Sequence, residues 1–300
     1  MSMPLIEMEH RRYVSSGPDA TMQTNDVDGD PLISVVVATF NAVATLERCI
    51  KSVSGQTIRR KELIVIDGAS KDGTVEILKQ NSEKIAYWVT EPDRGIYNAW
   101  NKALKVAQGE WVYFLGADDY FVDEQALARV ALHLKGRSTL ARVAYGRVDL
   151  VRQDGSVIET FGSPWNRRRF FELMTLPHQG VFHHRSLFQE HGCFNEEFRI
   201  AGDYELLLRE LKSRDPLFID NCTIAAMQFG GMSSDGRSAV EALQEIKRAR
   251  DLNGVMTVSP LWRWALVKAY VRRFLSRMFG QEWTRVAANC YRRLTFRAPV

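Results

Sequence analysis

Asp118 and Asp119 stand side by side where the apolar run of YFLGADDYF (113–121) ends. Adjacent carboxylates repel, and their local structural uses are confined to turns and caps. Two anions held together at the end of a strand ask for a cation. Polar residues recur where earlier apolar runs stop: Thr39 and Asn41 at the end of ISVVVATF, Asp67 and Ser70 at the end of ELIVID, and Glu91, Asp93 and Arg94 beyond IAYWVT. Any one of these reads equally well as a turn residue or helix cap, and for Asp72 and Thr74 in SKDGT that is the better reading. Gathered at one edge, they make a site. Its acids suit a nucleoside diphosphate held through a hard divalent cation, Mg2+ or Mn2+, because Mg2+ takes one or two carboxylates together with phosphate oxygens. No G-x-G-x-x-G opens the first helix and no G-x-x-x-x-G-K-[ST] occurs, which argues against dinucleotide-binding and Walker sites. The common phosphoaspartate enzymes carry their acid pair after the first strand, where this chain reads ATFNA.

The elements that must position these residues alternate. Apolar runs at 33–40, 62–67, 85–90 and 111–116 are separated by amphipathic stretches. One of them carries Leu46, Cys49, Ile50 and Val53 on a single face, and another Ile96, Ala99, Trp100, Ala103, Leu104 and Ala107, with Gly109 expected as its C-terminal cap. Repeated strand–helix units with continuous apolar strands specify an α/β fold, a mainly parallel sheet covered by helices on both faces. In such sheets ligands bind beyond the carboxyl ends of the strands. RVAYGRVDLV and GSVIETFG, separated by RQDG, read as an antiparallel hairpin added to that sheet.

Length and composition agree with one large domain and two appendages. With 300 residues and 45% hydrophobic content, the chain can bury a full core. Residues 1–30 read as a mobile tail, 31–257 as the domain and 258–300 as a basic helical segment. The four cysteines show no C-x-x-C spacing, so reduced thiols in the cytoplasm are expected. From Ser259 to Val300 there are eight Arg and one Lys against one Glu, a net charge of +8, which leaves −4 for the rest. Leu261, Trp264, Val267, Val271, Leu275 and Phe279 recur there at helical spacing among the basic residues. That pattern fits a helix lying on an anionic membrane surface, or one that docks on the domain with a solvated basic face; nucleic acid is not expected as a partner.

ISVVVATFN, ELIVIDGASKDGT, EPDRGIYNAWNKAL, GEWVYFLGADD and AGDYELLLR resemble, in that order, the motifs of family 2 glycosyltransferases of the GT-A fold, over residues 32–235. The resemblance implies transfer of a sugar from a nucleotide-sugar donor to an acceptor hydroxyl with inversion at the anomeric carbon. Carried over by position, Thr39, Asp67 and Asp93 would hold the base and ribose, with Asn41 and Arg94 beside them in the donor site. Asp118 would lie by the ribose or cation, and Asp119 would be the principal metal ligand. Asp203 would be the base that takes the acceptor's proton. Its alternative reading is an ordinary first-turn acid. Relatives often carry another acid where Gly116 stands, and a Glu-Asp pair where this chain reads Gly202-Asp203.

His178 and Gln179 in LPHQGVF are expected to line the donor-sugar or acceptor pocket, although a buried hydrogen-bonded histidine reads almost as well. FGGMSSDGR (229–237), with Arg237, suits a loop over a diphosphate or an ordinary turn. His183, His184, His191 and Cys193 lack convincing zinc spacing. The expectation is a metal-dependent enzyme of the cell envelope at the cytoplasmic face of the membrane, peripheral on it, that extends a polysaccharide, O-antigen or lipid-linked oligosaccharide. A non-catalytic nucleotide-sugar-binding scaffold and a nucleotidyltransferase are the alternatives.

Overall fold

A computed structural model describes residues 32–135, 141–229 and 236–255, and within a C-terminal helix residues 260, 262–271, 273, 274 and 278. The tail expected over 1–30, most of the FGGMSSDGR segment and much of the basic segment beyond 258 lie outside the described residues. Strand and helix alternate first: β1 (Ile33–Thr39), α1 (Leu46–Ser54), β2 (Lys61–Asp67), α2 (Thr74–Gln80), β3 (Tyr87–Thr90), α3 (Ile96–Leu104) and β4 (Trp111–Gly116). The short β5 (Tyr120–Phe121) and α4 (Ala126–Leu134) follow, then β6 (Val143–Val151) and β7 (Val157–Phe161), which form the expected antiparallel hairpin. The remaining elements are α5 (Arg167–Glu172), β8 (Val181–His184), α6 (Arg185–His191), α7 (Gly202–Leu211), β9 (Leu217–Gln228) and α8 (Gly236–Leu252).

One sheet runs β3-β2-β1-β4-β8-β6-β9-β5, with β7 paired to β6. β1 to β4 are mutually parallel, and β9 runs parallel to β6. Register sets the functional edge: Thr39 stands opposite Asp67, Asp67 opposite Thr90, and Ala38 opposite Gly116. The four strand ends therefore open at one level.

The strands read as unbroken apolar runs because both faces are covered. Val35 and Val37, Leu63 and Val65, and Tyr113 and Leu115 point toward α1 and α4. Val36, Ile64, Ile66, Val112 and Phe114 point toward α3 and α7. Each fully buried aliphatic side chain contributes roughly 1.5–3 kcal/mol of transfer free energy. α7 buries Tyr204, Leu206, Leu207, Leu208 and Leu211, which fixes where its first turn emerges.

Gly109 corrects one expectation. α3 ends at Leu104 with Lys105 as its C-cap, and Gly109 lies beyond it. A Cβ at Gly109 would come 2.5 Å from Ser34 N and closer still to Ser34 Oγ, so glycine is required there by the close approach to β1. Its amide donates to Ser34 Oγ at 2.8 Å.

The C-terminal helix uses two opposite faces. Trp262 and Ala269, seven positions apart, are buried, and Trp262 Nε1 donates to the Leu243 carbonyl of α8 at 3.0 Å. Trp264, Val267, Tyr270, Val271, Phe274 and Met278 are all exposed. At 3.6 residues per turn these fall on one continuous stripe on the side away from α8. None of the described helices is long and apolar enough to cross a membrane.

Candidate active site

The strand ends first bring together the expected donor residues. Asp67 is fully buried, and its carboxylate accepts hydrogen bonds from Ser70 N at 3.0 Å, Ser70 Oγ at 2.5 Å and Thr90 Oγ1 at 2.6 Å. Asn41 adopts the left-handed conformation, φ 49°, which asparagine tolerates better than most residues. Its amide donates to Ser70 Oγ at 2.7 Å, and its Oδ1 accepts from Lys71 N at 3.0 Å, so Asn41 stitches the loop after β1 to the loop after β2. Asp72 forms the turn that leads into α2, where its Oδ1 accepts from Thr74 N at 3.0 Å and from Thr74 Oγ1 at 2.6 Å, while Gly73 is the N-cap. Asp93 presses against Gly68, where a Cβ would lie 2.7 Å from Asp93 Oδ2. Its other oxygen accepts from Gly95 N at 2.9 Å. Thr39 Oγ1 is buried at this junction with no hydrogen-bond partner. Arg94 turns elsewhere: its guanidinium pairs with Glu196, which Asn98 and Asn101 also hold, at 2.9 and 3.0 Å. These donors hold the Glu196 carboxyl down at about 2.

The acidic pair sits on a turn after β4. Asp119 N donates to the Gly116 carbonyl at 3.1 Å, and a Cβ at Gly116 would lie 2.6 Å from Asp119 Oδ2 and 2.9 Å from Asp118 Oδ1. Both carboxylates fold back over this glycine, so no side chain fits there. Asp119 is only 2% exposed. Its Oδ1 accepts from Gln228 N at 3.1 Å, and the Gln179 side chain hydrogen-bonds to it as well. Burial, with the Asp118 charge beside it, nevertheless pushes its carboxyl up to about 7. Arg48 of α1 braces the turn. It donates to the Asp118 carbonyl at 2.8 Å and to Gln228 Oε1 at 2.9 Å, while its guanidinium lies 4.4 Å from the Tyr120 ring centroid.

Asp203 occupies the first turn of α7, whose N-cap Ala201 provides no side-chain cap. The Tyr97 hydroxyl donates to the Ile200 carbonyl at 2.7 Å, accepts from Gly202 N at 2.8 Å and lies 3.3 Å from Asp203 Oδ1. Its ring covers Gly202 so closely that a Cβ there would meet three ring carbons at 2.7 to 2.9 Å. From the other side, Glu245 of α8 accepts from Arg199 N at 2.9 Å and from Ile200 N and Ala201 N at 2.8 Å each.

His178 and Gln179 open a short 3-10 turn between the two acidic centres. Gln179 reaches Asp119, and its carbonyl accepts from the Tyr113 hydroxyl. The His178 ring stacks on Trp100 at 4.9 Å, and Trp100 in turn meets the Tyr97 ring edge-on at 5.4 Å. Burial lowers the His178 pKa, opposed by the charge of Asp203. His184 caps α6 through Ser186, and His191 pairs with buried Glu210 at 2.7 Å, so these histidines serve the scaffold. Arg48, Tyr97, Gln228 and Glu245 escaped the sequence reading. Only Tyr97 carried a signal, its place inside the EPDRGIYNAWNKAL motif.

Comparisons with known proteins agree with this geometry. Residues 34–190 match the family described as Glycosyl transferase family 2. An uncharacterized glycosyltransferase of Mycobacterium tuberculosis is 32% identical over 229 residues, covering 74% of this chain and 84% of the relative. A PGL/p-HBAD biosynthesis glycosyltransferase of Mycobacterium bovis is 30% identical over 182 residues, 60% of this chain and 69% of the relative. Among solved structures, S. aureus TarS 1-349 in complex with UDP superposes with a TM-score of 0.57 at 18% identity, covering 86% of this chain and 78% of that one. The mannosyltransferase PcManGT from Pyrobaculum calidifontis, in complex with GDP-Man and Mn2+, gives 0.58 at 18% identity, covering 90% and 83%. These two likenesses show the fold, which is GT-A.

Proposed function

The chain belongs to glycosyl transferase family 2, and from that premise we propose that it moves a sugar from a nucleoside-diphosphate sugar to an acceptor hydroxyl, with inversion at the anomeric carbon. The observation that carries the reading is the pair of acidic centres at one sheet edge, Asp118–Asp119 and Asp203, joined by the His178–Gln179 turn. The donor's base and ribose fit the junction of Thr39, Asp67 and Asp93, where the buried Thr39 hydroxyl lacks a partner.

Asp203 takes the proton of the acceptor hydroxyl as that oxygen attacks the anomeric carbon from the face opposite the diphosphate. The carbon–oxygen bond to the diphosphate breaks, and its electron pair leaves with the diphosphate. Asp118 and Asp119 suit a divalent cation. They offer hard oxygen donors, and a buried carboxyl raised to about 7 is one whose negative charge lacks compensation. Among the described residues no group of three His, Cys, Asp or Glu could hold a metal ion, so phosphate oxygens and water would complete the coordination. Bound there, Mg2+ or Mn2+ would offset charge on the departing diphosphate. TarS with UDP and PcManGT with GDP-Man and Mn2+ support a donor of this class.

Asp203→Asn tests the assignment. Transfer should fall at least ~100-fold, a typical general-base contribution, while diphosphate binding with Mn2+ persists. A non-catalytic scaffold would keep its function in that variant.

The acceptor we propose is a glycan or lipid-linked glycan of the cell envelope, a class also suggested by the PGL/p-HBAD relative. The exposed stripe Trp264–Val267–Val271–Phe274 would rest on an anionic bilayer at the cytoplasmic face. Exposed Arg263 and Lys268 lie among it, and the +8 charge of this segment favours anionic lipid over a second copy of itself. The full chain should cosediment with phosphatidylglycerol vesicles and much less with phosphatidylcholine alone. Trp264→Glu should abolish this. A dimer that ignores both vesicles would overturn the membrane reading.

A further inference from the structure

The segment leading into Asp203 is gripped from two sides, and the grip is unusual in how much of it falls on backbone groups. Arg199, Ile200 and Ala201 send three consecutive amides to the single carboxylate of Glu245. The Tyr97 hydroxyl takes the next amide, that of Gly202, and returns its proton to the Ile200 carbonyl. These groups lie ahead of or at the first turn of α7, where backbone amides have no intrahelical acceptor. An anion at that end of the helix is favoured by the helix dipole, and hydrogen bonds to an ionised acceptor are stronger than neutral ones.

α8 adds a second hold one helical turn further on. Arg248 pairs with Glu197 and lies 4.9 Å from the Phe198 ring centroid. Residues 197–201 are thus clasped by two side chains of α8, three positions apart. Tyr97 closes the opposite side and leaves no volume at Gly202 for a side chain.

We infer that Glu245, with Tyr97, is a positioning residue for Asp203: it fixes the backbone from which the Asp203 carboxylate projects and does not itself meet substrate. The inference rests on the reading of Asp203 as the base. Glu245 lies well beyond residue 190, where the family match ends. Gly202, beside Asp203, has no room for a side chain of its own, and an acid reaches the same stretch of backbone from α8. Placement errors of about 1 Å in a reacting group cost on the order of 100-fold in rate, so support of this kind acts on turnover while donor affinity stays intact.

The test uses the full-length protein with its donor and acceptor, alongside UDP or GDP with Mn2+ as binding probes. Glu245→Gln keeps the volume but offers one acceptor oxygen in place of two. It should lower kcat roughly 10- to 100-fold, with donor KM and diphosphate-induced thermal stabilisation changed less than about twofold. Tyr97→Phe should act in the same direction. The discriminating measurement is a double-mutant cycle with Asp203→Asn. If Glu245 works through Asp203, adding Glu245→Gln to Asp203→Asn lowers the residual rate no further. Unchanged kcat in Glu245→Gln, a parallel loss of diphosphate binding, or additive losses in the cycle would each overturn the inference. Wild-type transfer by Asp203→Asn alone would overturn the base assignment, and that result is read from the single variant.

Discussion

Replacing Asp119 by Asn should make the protein more stable, and increasingly so as the pH rises. The wild-type carboxyl is buried against Asp118 and pushed from 3.8 up to about 7. A folded-state pKa raised in this way gives stability that is fully present below the unfolded value and is lost as pH rises through the folded one. A displacement of roughly three pH units corresponds to about 4 kcal/mol, with about half of it falling between pH 5.5 and 8.5. The amide introduced by Asp119→Asn carries no charge in either state, and its oxygen can still accept from Gln228 N. In metal-free buffer the stability gap between variant and wild type should therefore widen by about 2 kcal/mol across that interval, or roughly 4–8 °C in melting temperature for a domain of this size. Urea unfolding with EDTA at the two pH values measures it. Mn2+ at the higher pH should then stabilise the wild type and leave Asp119→Asn unmoved. A gap that stays constant with pH, or equal Mn2+ stabilisation of both proteins, would refute the argument.

Three further substitutions probe the same edge. Gly116→Ala forces a Cβ to within 2.6 Å of Asp119 Oδ2; overpacking should cost about 1–3 kcal/mol, and Mn2+-dependent diphosphate binding should disappear in a thermal-shift assay. Thr39→Val replaces a buried hydroxyl that has no partner, so chemical denaturation should show unchanged or slightly higher stability, while calorimetry shows weaker diphosphate binding. Arg94→Ala removes the partner of Glu196 rather than a group facing Asp67, and donor KM should change less than about threefold, a ΔΔG below about 0.7 kcal/mol.

Much of the sheet edge at the strand ends was legible because its determinants are local. Continuous apolar strands, the helices between them and the polar residues at each strand end are written within short windows, and the register of β1, β2 and β4 then sets Thr39 opposite Asp67 and Ala38 opposite Gly116. Gly109 misled because a glycine after an amphipathic stretch looks like a cap, whereas its real constraint, Ser34, is 75 residues away. The surroundings of Asp203 were only partly legible for the same reason. Tyr97 meets Gly202 across 105 positions and Glu245 meets Ala201 across 44, contacts that leave no periodic trace. The placement of β8 between β4 and β6, and of β9 beside β6, is likewise a matter of long-range pairing. The C-terminal stripe was visible as a pattern, but which side docks depended on Trp262, which lies off that stripe.

Both acidic centres are secured by residues from the last third of the chain: Gln228 holds Asp119, and Glu245 holds the approach to Asp203. On the ribosome the parallel strands emerge first and the clasps last. A nascent chain would therefore carry Asp118 and Asp119, and later Asp203, before the geometry to use them exists, and the proposed activity would begin only when translation has passed α8. Premature release upstream of that helix should yield a protein with strand ends in register and Asp203 without its clasp, a form of safeguard that comes from chain order alone.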